Sequence, residues 1–197
     1  MKPIPTTYAG TAFRSRLEAE VAQFFNQNHI PWEYEPVGFE LDDGTRYLPD
    51  FWLPAARVWA EVKGPHKQRI DKLEKFATQL WREANVSYGG QRGLEYTPDT
   101  PMVVEINACT RVFHQNERGI RFTGVAPGGR RFSAGLAQCP NCFATTVIAL
   151  WQDRCRNCRS HVEFEGWHDS VCDGYDLPFR RIEIPMPRNS SDWRIFK

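Results

Sequence analysis

The sequence predicts an α/β sandwich, a central mixed β-sheet flanked by helices, followed by a small cysteine-rich module. Three observations carry that prediction. Two short apolar runs, Leu48 to Leu53 and Val58 to Lys63, are rich in aromatic and branched residues and bounded by Pro54 and Gly64, as paired strands are. Two stretches, about 12–28 and 67–85, repeat apolar residues at helical spacing. Two Cys-x-x-Cys pairs, Cys139/Cys142 and Cys155/Cys158, lie well downstream of both.

Taken in order, Thr11 is placed to cap a first helix over Ala12 to Asn28, with Leu17, Val21, Phe24, Phe25 and Asn28 on one face. Glu18 borders that stripe, close enough to lean over a sheet edge. Arg14 stands four residues before it, at pairing distance on a helix. Glu33 to Leu41 reads as a strand interrupted by Pro36 and Gly38. Asp42-Asp43-Gly44-Thr45 reads as a turn, and Arg46 opens the strand that reaches Asp50. The second helix presents Ile70, Leu73, Phe76, Ala77, Leu80, Trp81 and Ala84 to the core. A polar, glycine-rich loop over Tyr88 to Pro101 precedes a strand at Met102 to Ala108. There Glu105 alternates with valines and is expected at the surface. Thr110 to Ala134 suggests a loose hairpin around Ala126-Pro127-Gly128-Gly129.

The strand pair carries the chemistry. With Pro54-Ala55-Ala56-Arg57 as the connecting loop, Leu53 faces Val58. Trp52 then lies opposite Trp59, Asp50 opposite Glu61, and Leu48 opposite Lys63. Side chains two apart share a face, so Asp50, Glu61 and Lys63 project to one side. Two facing carboxylates repel and weaken a hairpin unless something positive sits between them. Mg²⁺ (or Mn²⁺) is commonly held by one or two carboxylates, with water and substrate phosphate completing its shell. An adjacent ammonium is suited to positioning water or neutralising charge on phosphorus. The plainer alternative is a solvated hairpin edge kept soluble by its charges.

Pro49-Asp50 and Glu61-Val62-Lys63 together resemble the two halves of the PD-(D/E)XK nuclease motif. The upstream run Phe13-Arg14-Ser15-Arg16-Leu17-Glu18 is similar to the helix before that site in endonuclease I-type junction resolvases and transposon end-cleaving nucleases. The resemblance spans roughly residues 8–85. It implies a restriction-endonuclease-like fold, with Asp50 and Glu61 as metal ligands beside the Val62 carbonyl. It makes Lys63 the catalytic lysine and Glu18 a further acid of the site. It also implies a DNA phosphodiester hydrolase, cutting branched or four-way-junction DNA, with sequence-reading nicking, restriction or transposon-type cleavage as rivals. Junction cutting needs two symmetric cuts, hence a homodimer. A non-enzymatic zinc-ribbon adaptor for nucleic acid is a further alternative.

Charge is nearly balanced overall, at +1, but unevenly spread. Residues 111–159 hold eight arginines against Glu117 and Asp153. Arg130, Arg131, Arg154 and Arg156 belong to that group. They either form a phosphate-binding surface or decorate separate solvated loops. Arg14, His66 and Lys67 are placed near the catalytic strand as further contacts for nucleic acid, although His66 and Lys67 read more simply as the start of a solvated helix. No apolar stretch reaches membrane-spanning length and the N-terminus lacks a signal-peptide pattern, so a cytoplasmic location is expected.

Cys139, Cys142, Cys155 and Cys158 have the spacing of a four-cysteine zinc ribbon, with the strand-like Thr145 to Leu150 between the knuckles. Four thiolates leave no open position, so this Zn²⁺ is expected to be structural. Disulfides are the competing reading, disfavoured without a secretion signal. Cys109 reads as a buried apolar residue, and Cys172 with His161 and His168 matches no ligand spacing. The expected organisation is a nuclease core at 1–133, a ribbon at 134–165 and a tail at 166–197.

Overall fold

The computed structural model describes residues 4–64, 71–84, 102–112, 117–149, 154–161 and 180–181. The chain opens with a small antiparallel ribbon, β1 (Thr6–Tyr8) and β2 (Thr11–Phe13), and continues into α1 (Arg16–Gln27). Short strands β3 (Glu33–Tyr34), β4 (Phe39–Glu40) and β5 (Arg46–Tyr47) follow. The hairpin of β6 (Phe51–Leu53) and β7 (Val58–Lys63) precedes α2 (Asp71–Glu83). Then come β8 (Met102–Val112), β9 (Glu117–Val125), β10 (Arg131–Gln138), β11 (Thr145–Ala149) and β12 (Arg180–Arg181).

One mixed sheet carries the fold, in the order β11-β10-β9-β8-β7-β6-β3, with β12 also paired to β10. Only β7 and β8 run parallel, because α2 lies in the crossover between them. The strands alternate cleanly between two apolar faces. Val58, Ala60, Met102, Val104, Ile106, Phe122 and Phe132 face one core with Ala19, Val21, Ala22 and Phe25 of α1. Trp59, Val103 and Val125 face the other, with Leu73, Phe76 and Ala77 of α2. The two helices therefore cover opposite faces, and the predicted α/β sandwich with a mixed sheet is present.

Several boundaries differ from the sequence expectation. The first helix begins at Arg16, not Ala12, and its cap is Ser15, not Thr11. Ser15 and Glu18 make a reciprocal capping box that satisfies the free amides of the first turn. Thr11–Phe13 is instead paired to β1. The single strand expected over Glu33 to Leu41 is two pieces, β3 on β6 and β4 on β5. The boundary expected at 133/134 falls inside β10, so the sheet runs unbroken toward the cysteine module. Lys67 to Ile70, the loop over Tyr88 to Pro101, Cys172, His168 and most of the tail lie outside the described residues.

The turn between β9 and β10 sits at Pro127–Gly129, where the sequence places it. Gly128 and Gly129 both adopt the left-handed region that glycine tolerates best. Gly124 has a different reason to be glycine. It lies opposite Phe132 on β10, and the aromatic ring fills the space a side chain would need.

Candidate functional site

The register expected for the hairpin is present. Phe51 pairs with Ala60, Trp52 with Trp59 and Leu53 with Val58. Asp50 stands just before β6 and Glu61 just after Ala60, on the α2 face of the sheet by period two. Trp59 on that face is covered by Phe76. Two residues on, Glu61 and Lys63 emerge at the strand end with side chains 15% exposed each. The same face thus changes from core to half-buried polar site within one strand.

Each acid is held by named donors. Asp50 is 3% exposed. Its Oδ2 accepts from the Val62 amide at 2.8 Å and its Oδ1 from Arg14 Nη2 at 2.8 Å. Glu61 Oε1 accepts from Lys63 Nζ at 2.8 Å, and Oε2 from the buried Tyr47 hydroxyl at 2.8 Å. Glu18 accepts from Ser15 Oγ at 2.7 Å and from the Tyr34 hydroxyl at 2.5 Å, besides the amides of Arg14 and Ser15. The guanidinium of Arg14 also pairs with Glu35, not with Glu18 as helical spacing suggested. The reason is local. Arg14 precedes the cap, so it is outside the helix and its side chain swings across to the strands.

Burial dominates the electrostatics of Asp50 and its neighbours. Burial first, and then the charge of Glu61, push the Asp50 carboxyl well above its ordinary range; Glu18 adds to the push, while the Val62 amide and Arg14 oppose it. Burial and the Glu61 charge raise the Tyr47 phenol likewise, so it remains a donor. Burial, then the hydrogen bond to Glu18, raise the Tyr34 phenol. For Arg14, burial acts against the charge, but Tyr34, Asp50 and Glu35 outweigh it and raise its pKa.

Sequence reasoning missed four contributors: Tyr34, Glu35, Tyr47 and Glu105. Tyr34 and Glu35 arrive through the pairing of β3 with β6, where the Glu35 amide bonds the Asp50 carbonyl at 2.9 Å. Glu105, expected at the surface, is instead the parallel-register neighbour of Glu61, and its side chain is 12% exposed. Asn107, in register with Lys63, donates its side-chain amide to Glu105 Oε1 at 3.0 Å. The alternation that suggested exposure is real, but the face it marks is covered by α2.

The basic residues separate on inspection. Arg131 lies between Glu74 (3.7 Å) and Glu105 (3.5 Å), which ties β10 to α2 and to the strand beside Glu61. Arg156, expected on a nucleic-acid-binding surface, is 3% exposed and turned inward. It bonds backbone carbonyls of the β6–β7 turn, so it is not part of a surface patch. Arg130 and Arg154 are exposed. His66, Lys67 and the side chains of Arg111, Arg118 and Arg121 lie outside the described residues.

The four cysteines converge. Their sulfurs all lie within 4.8 Å of one another. Cys139 and Cys158 are 3.7 Å apart, and Cys142 and Cys155 3.8 Å. A tetrahedron with zinc–sulfur bonds of about 2.3 Å has sulfur–sulfur edges of about 3.8 Å, so the set fits Zn²⁺. The two knuckles repeat each other. The Phe143 amide bonds the Cys139 carbonyl at 2.9 Å, and the Arg159 amide bonds Cys155 at 2.8 Å. Both fourth residues adopt a left-handed backbone, Phe143 at φ 58° and Arg159 at φ 62°.

The carboxylates are not gathered in that way. Among the described residues the cysteines are the one group of three or more such ligands within mutual reach of a metal. The acids nonetheless fit a hard divalent ion by chemistry. Glu18, Glu35, Asp50, Glu61 and Glu105 meet only Arg14, Lys63 and Arg131 among the described cations around them. No described helix is long and apolar enough to cross a membrane. Comparison with family models, with curated proteins and with solved structures returns no match.

Proposed function

We propose that this chain is a metal-dependent DNA endonuclease of the PD-(D/E)XK type, with a restriction-endonuclease-like core and a structural zinc ribbon. One observation carries the reading. A nearly inaccessible carboxylate, Asp50, is set beside Glu61 at one end of a hairpin, where burial first and the Glu61 charge second disfavour its charged form. A site that concentrates negative charge against its own stability is a site prepared for a cation.

Asp50 and Glu61, with the Val62 carbonyl, would hold Mg²⁺ (or Mn²⁺). The bound ion would supply Lewis-acid activation of water and neutralisation of the phosphoryl oxygens. The remaining work belongs to the chain. The Val62 amide and Arg14 fix the Asp50 carboxylate, and Tyr47 fixes that of Glu61. Lys63 now neutralises Glu61. Once that charge is balanced otherwise, its ammonium is available to the attacking water or a non-bridging oxygen. Glu18, anchored by Ser15 and Tyr34, keeps a third negative charge near Asp50 and orients water.

The substrate proposed is branched or four-way-junction DNA, cut by a homodimer. Sequence-directed nicking is the rival within the same chemistry. The test is nicking of supercoiled plasmid with and without Mg²⁺, using Asp50→Asn, Glu61→Gln and Lys63→Ala. All three are expected to cut at background rate while remaining folded at the assay temperature. Cutting at the unsubstituted rate by the two carboxylate variants would overturn the proposal and leave a zinc-bearing adaptor. Junction, flap, nicked, linear and single-stranded substrates in the same assay rank the DNA forms.

A further inference from the structure

We infer that Arg156 is a positioning residue for the Asp50–Glu61 hairpin, and that the four-cysteine centre sets the β6–β7 turn through it. The inference rests on the proposed reading of that hairpin as the reacting site. The turn is demanding. Arg57 takes a left-handed backbone at φ 54° without being glycine. Ala56 is 1% exposed, so water has little access to its carbonyl. From within the turn, the Ala56 amide bonds Leu53 at 3.2 Å and the Arg57 amide bonds Pro54 at 3.3 Å, both long for backbone hydrogen bonds.

Arg156 adds two hydrogen bonds to the turn. Its Nε donates to the Ala56 carbonyl at 2.5 Å and its Nη2 to the Arg57 carbonyl at 3.3 Å. The Arg57 carbonyl also accepts from the Met102 amide at 3.5 Å, at the start of β8. The guanidinium therefore joins the cysteine module to the turn, and the Arg57 carbonyl it binds joins the turn to the start of the parallel strand. A lysine has no planar fork to serve two carbonyls at once. Arg156 sits between Cys155 and Cys158, so a zinc ion held by both sulfurs would fix its backbone from either side.

The consequence reaches the acids. Strand β6 has three residues, which is little ladder to hold a register. The turn must hold it, and a slip of one residue would send Asp50 to the opposite face from Glu61. A zinc site distant in sequence thus becomes a determinant of whether the two carboxylates share a face.

The experiment uses the full zinc-loaded chain with Arg156→Gln and Arg156→Lys. It reads zinc per chain, amide hydrogen exchange, and the Mg²⁺ dependence of plasmid nicking. Arg156→Gln is expected to keep its zinc. Exchange at the Ala56, Arg57 and Met102 amides should rise about tenfold, with α1 unchanged. The Mg²⁺ concentration for half-maximal nicking should rise several-fold, and Arg156→Lys should recover part of both effects. Unchanged exchange at the turn overturns the inference, as does an equal rise in α1, which marks general loss of stability. If Arg156→Gln does not fold, zinc withdrawal from the unsubstituted chain decides. A turn that stays protected without zinc overturns the inference. Absence of nicking by the unsubstituted chain would instead refute the proposed function, and the exchange data would still decide the coupling.

Discussion

Replacing Tyr47 with phenylalanine isolates one hydroxyl at the centre of the site. That hydroxyl donates to Glu61 Oε2 at 2.8 Å from a residue only 6% exposed. The ring packs on Phe76 at a centroid distance of 5.0 Å, and phenylalanine keeps that contact. The change therefore removes a donor and little else. A hydrogen bond to a charged acceptor contributes about 1.5–3 kcal/mol. Glu61 retains Lys63, and its side chain is 15% exposed, so water makes good part of the loss. The lower end, about 1.5 kcal/mol, is the reasoned value. For a chain of 197 residues that corresponds to a fall in Tm of roughly 3–6 °C.

The measurement is thermal unfolding of the metal-free chain, followed by calorimetric titration with Mg²⁺. A carboxylate that has lost its fixed partner must be reordered when the ion arrives. Affinity is expected to fall about tenfold, as for other groups that orient a ligand from behind. A change in Tm below about 1 °C together with unchanged Mg²⁺ affinity would refute the reasoning, because Tyr47 would then not be holding Glu61.

Three further outcomes follow from the same coordinates. Gly124→Ala would set a Cβ 1.8 Å from Phe132 Cε2, so a loss of about 1–3 kcal/mol is expected; adding Phe132→Leu should recover part in urea melts, and strict additivity would refute the clash. The Asp50 carboxyl is raised when folded, so the metal-free chain gains its contribution at acid pH and loses it as pH climbs from the ordinary carboxylate value through the folded one. The Tm gain from Mg²⁺ should therefore grow as pH rises above the ordinary carboxylate range, and a flat profile would remove this account. Cys142→Ala breaks the tetrahedron and should lower bound zinc and Tm together, by several kcal/mol of lost metal-linked stability; metal release measured with a colorimetric chelator checks it.

The parts of the fold legible from sequence are those fixed over short distances. The four-residue loop after Leu53 determined the hairpin register, and the register is as expected. Apolar spacing gave α2 its buried Leu73, Phe76, Ala77 and Trp81, and the two knuckles gave the cysteine cluster. The start of α1 was also readable, since Ser15-Arg16-Leu17-Glu18 spells a capping box. Reading Thr11 as the cap, one turn too early, hid it. What was not legible depends on strands meeting across the sheet. Tyr34 and Glu35 reach Asp50 through β3, and Glu105 reaches Glu61 only after the α2 crossover. Arg156 was indistinguishable from a surface arginine because nothing local says that residue 156 lies on residue 56.

These long-range arrivals decide the electrostatics of the site. The hairpin alone brings together Asp50, Glu61 and Lys63. The sheet then adds Glu35 and Glu105, and the α1 cap adds Glu18, so acids accumulate faster than bases. Burial by α2 and the strands lowers the local dielectric, which strengthens both the mutual repulsion and the attraction for any cation that enters. Arg14 and Lys63 are each already engaged by a carboxylate of the site. A proton on Asp50 relieves the same repulsion that a divalent ion would relieve, so the two compete for one position. Protonating Asp50 also weakens its pair with Arg14, so the competition that the proposed function requires is expected only where relief from burial and from the Glu61 and Glu18 charges exceeds that loss.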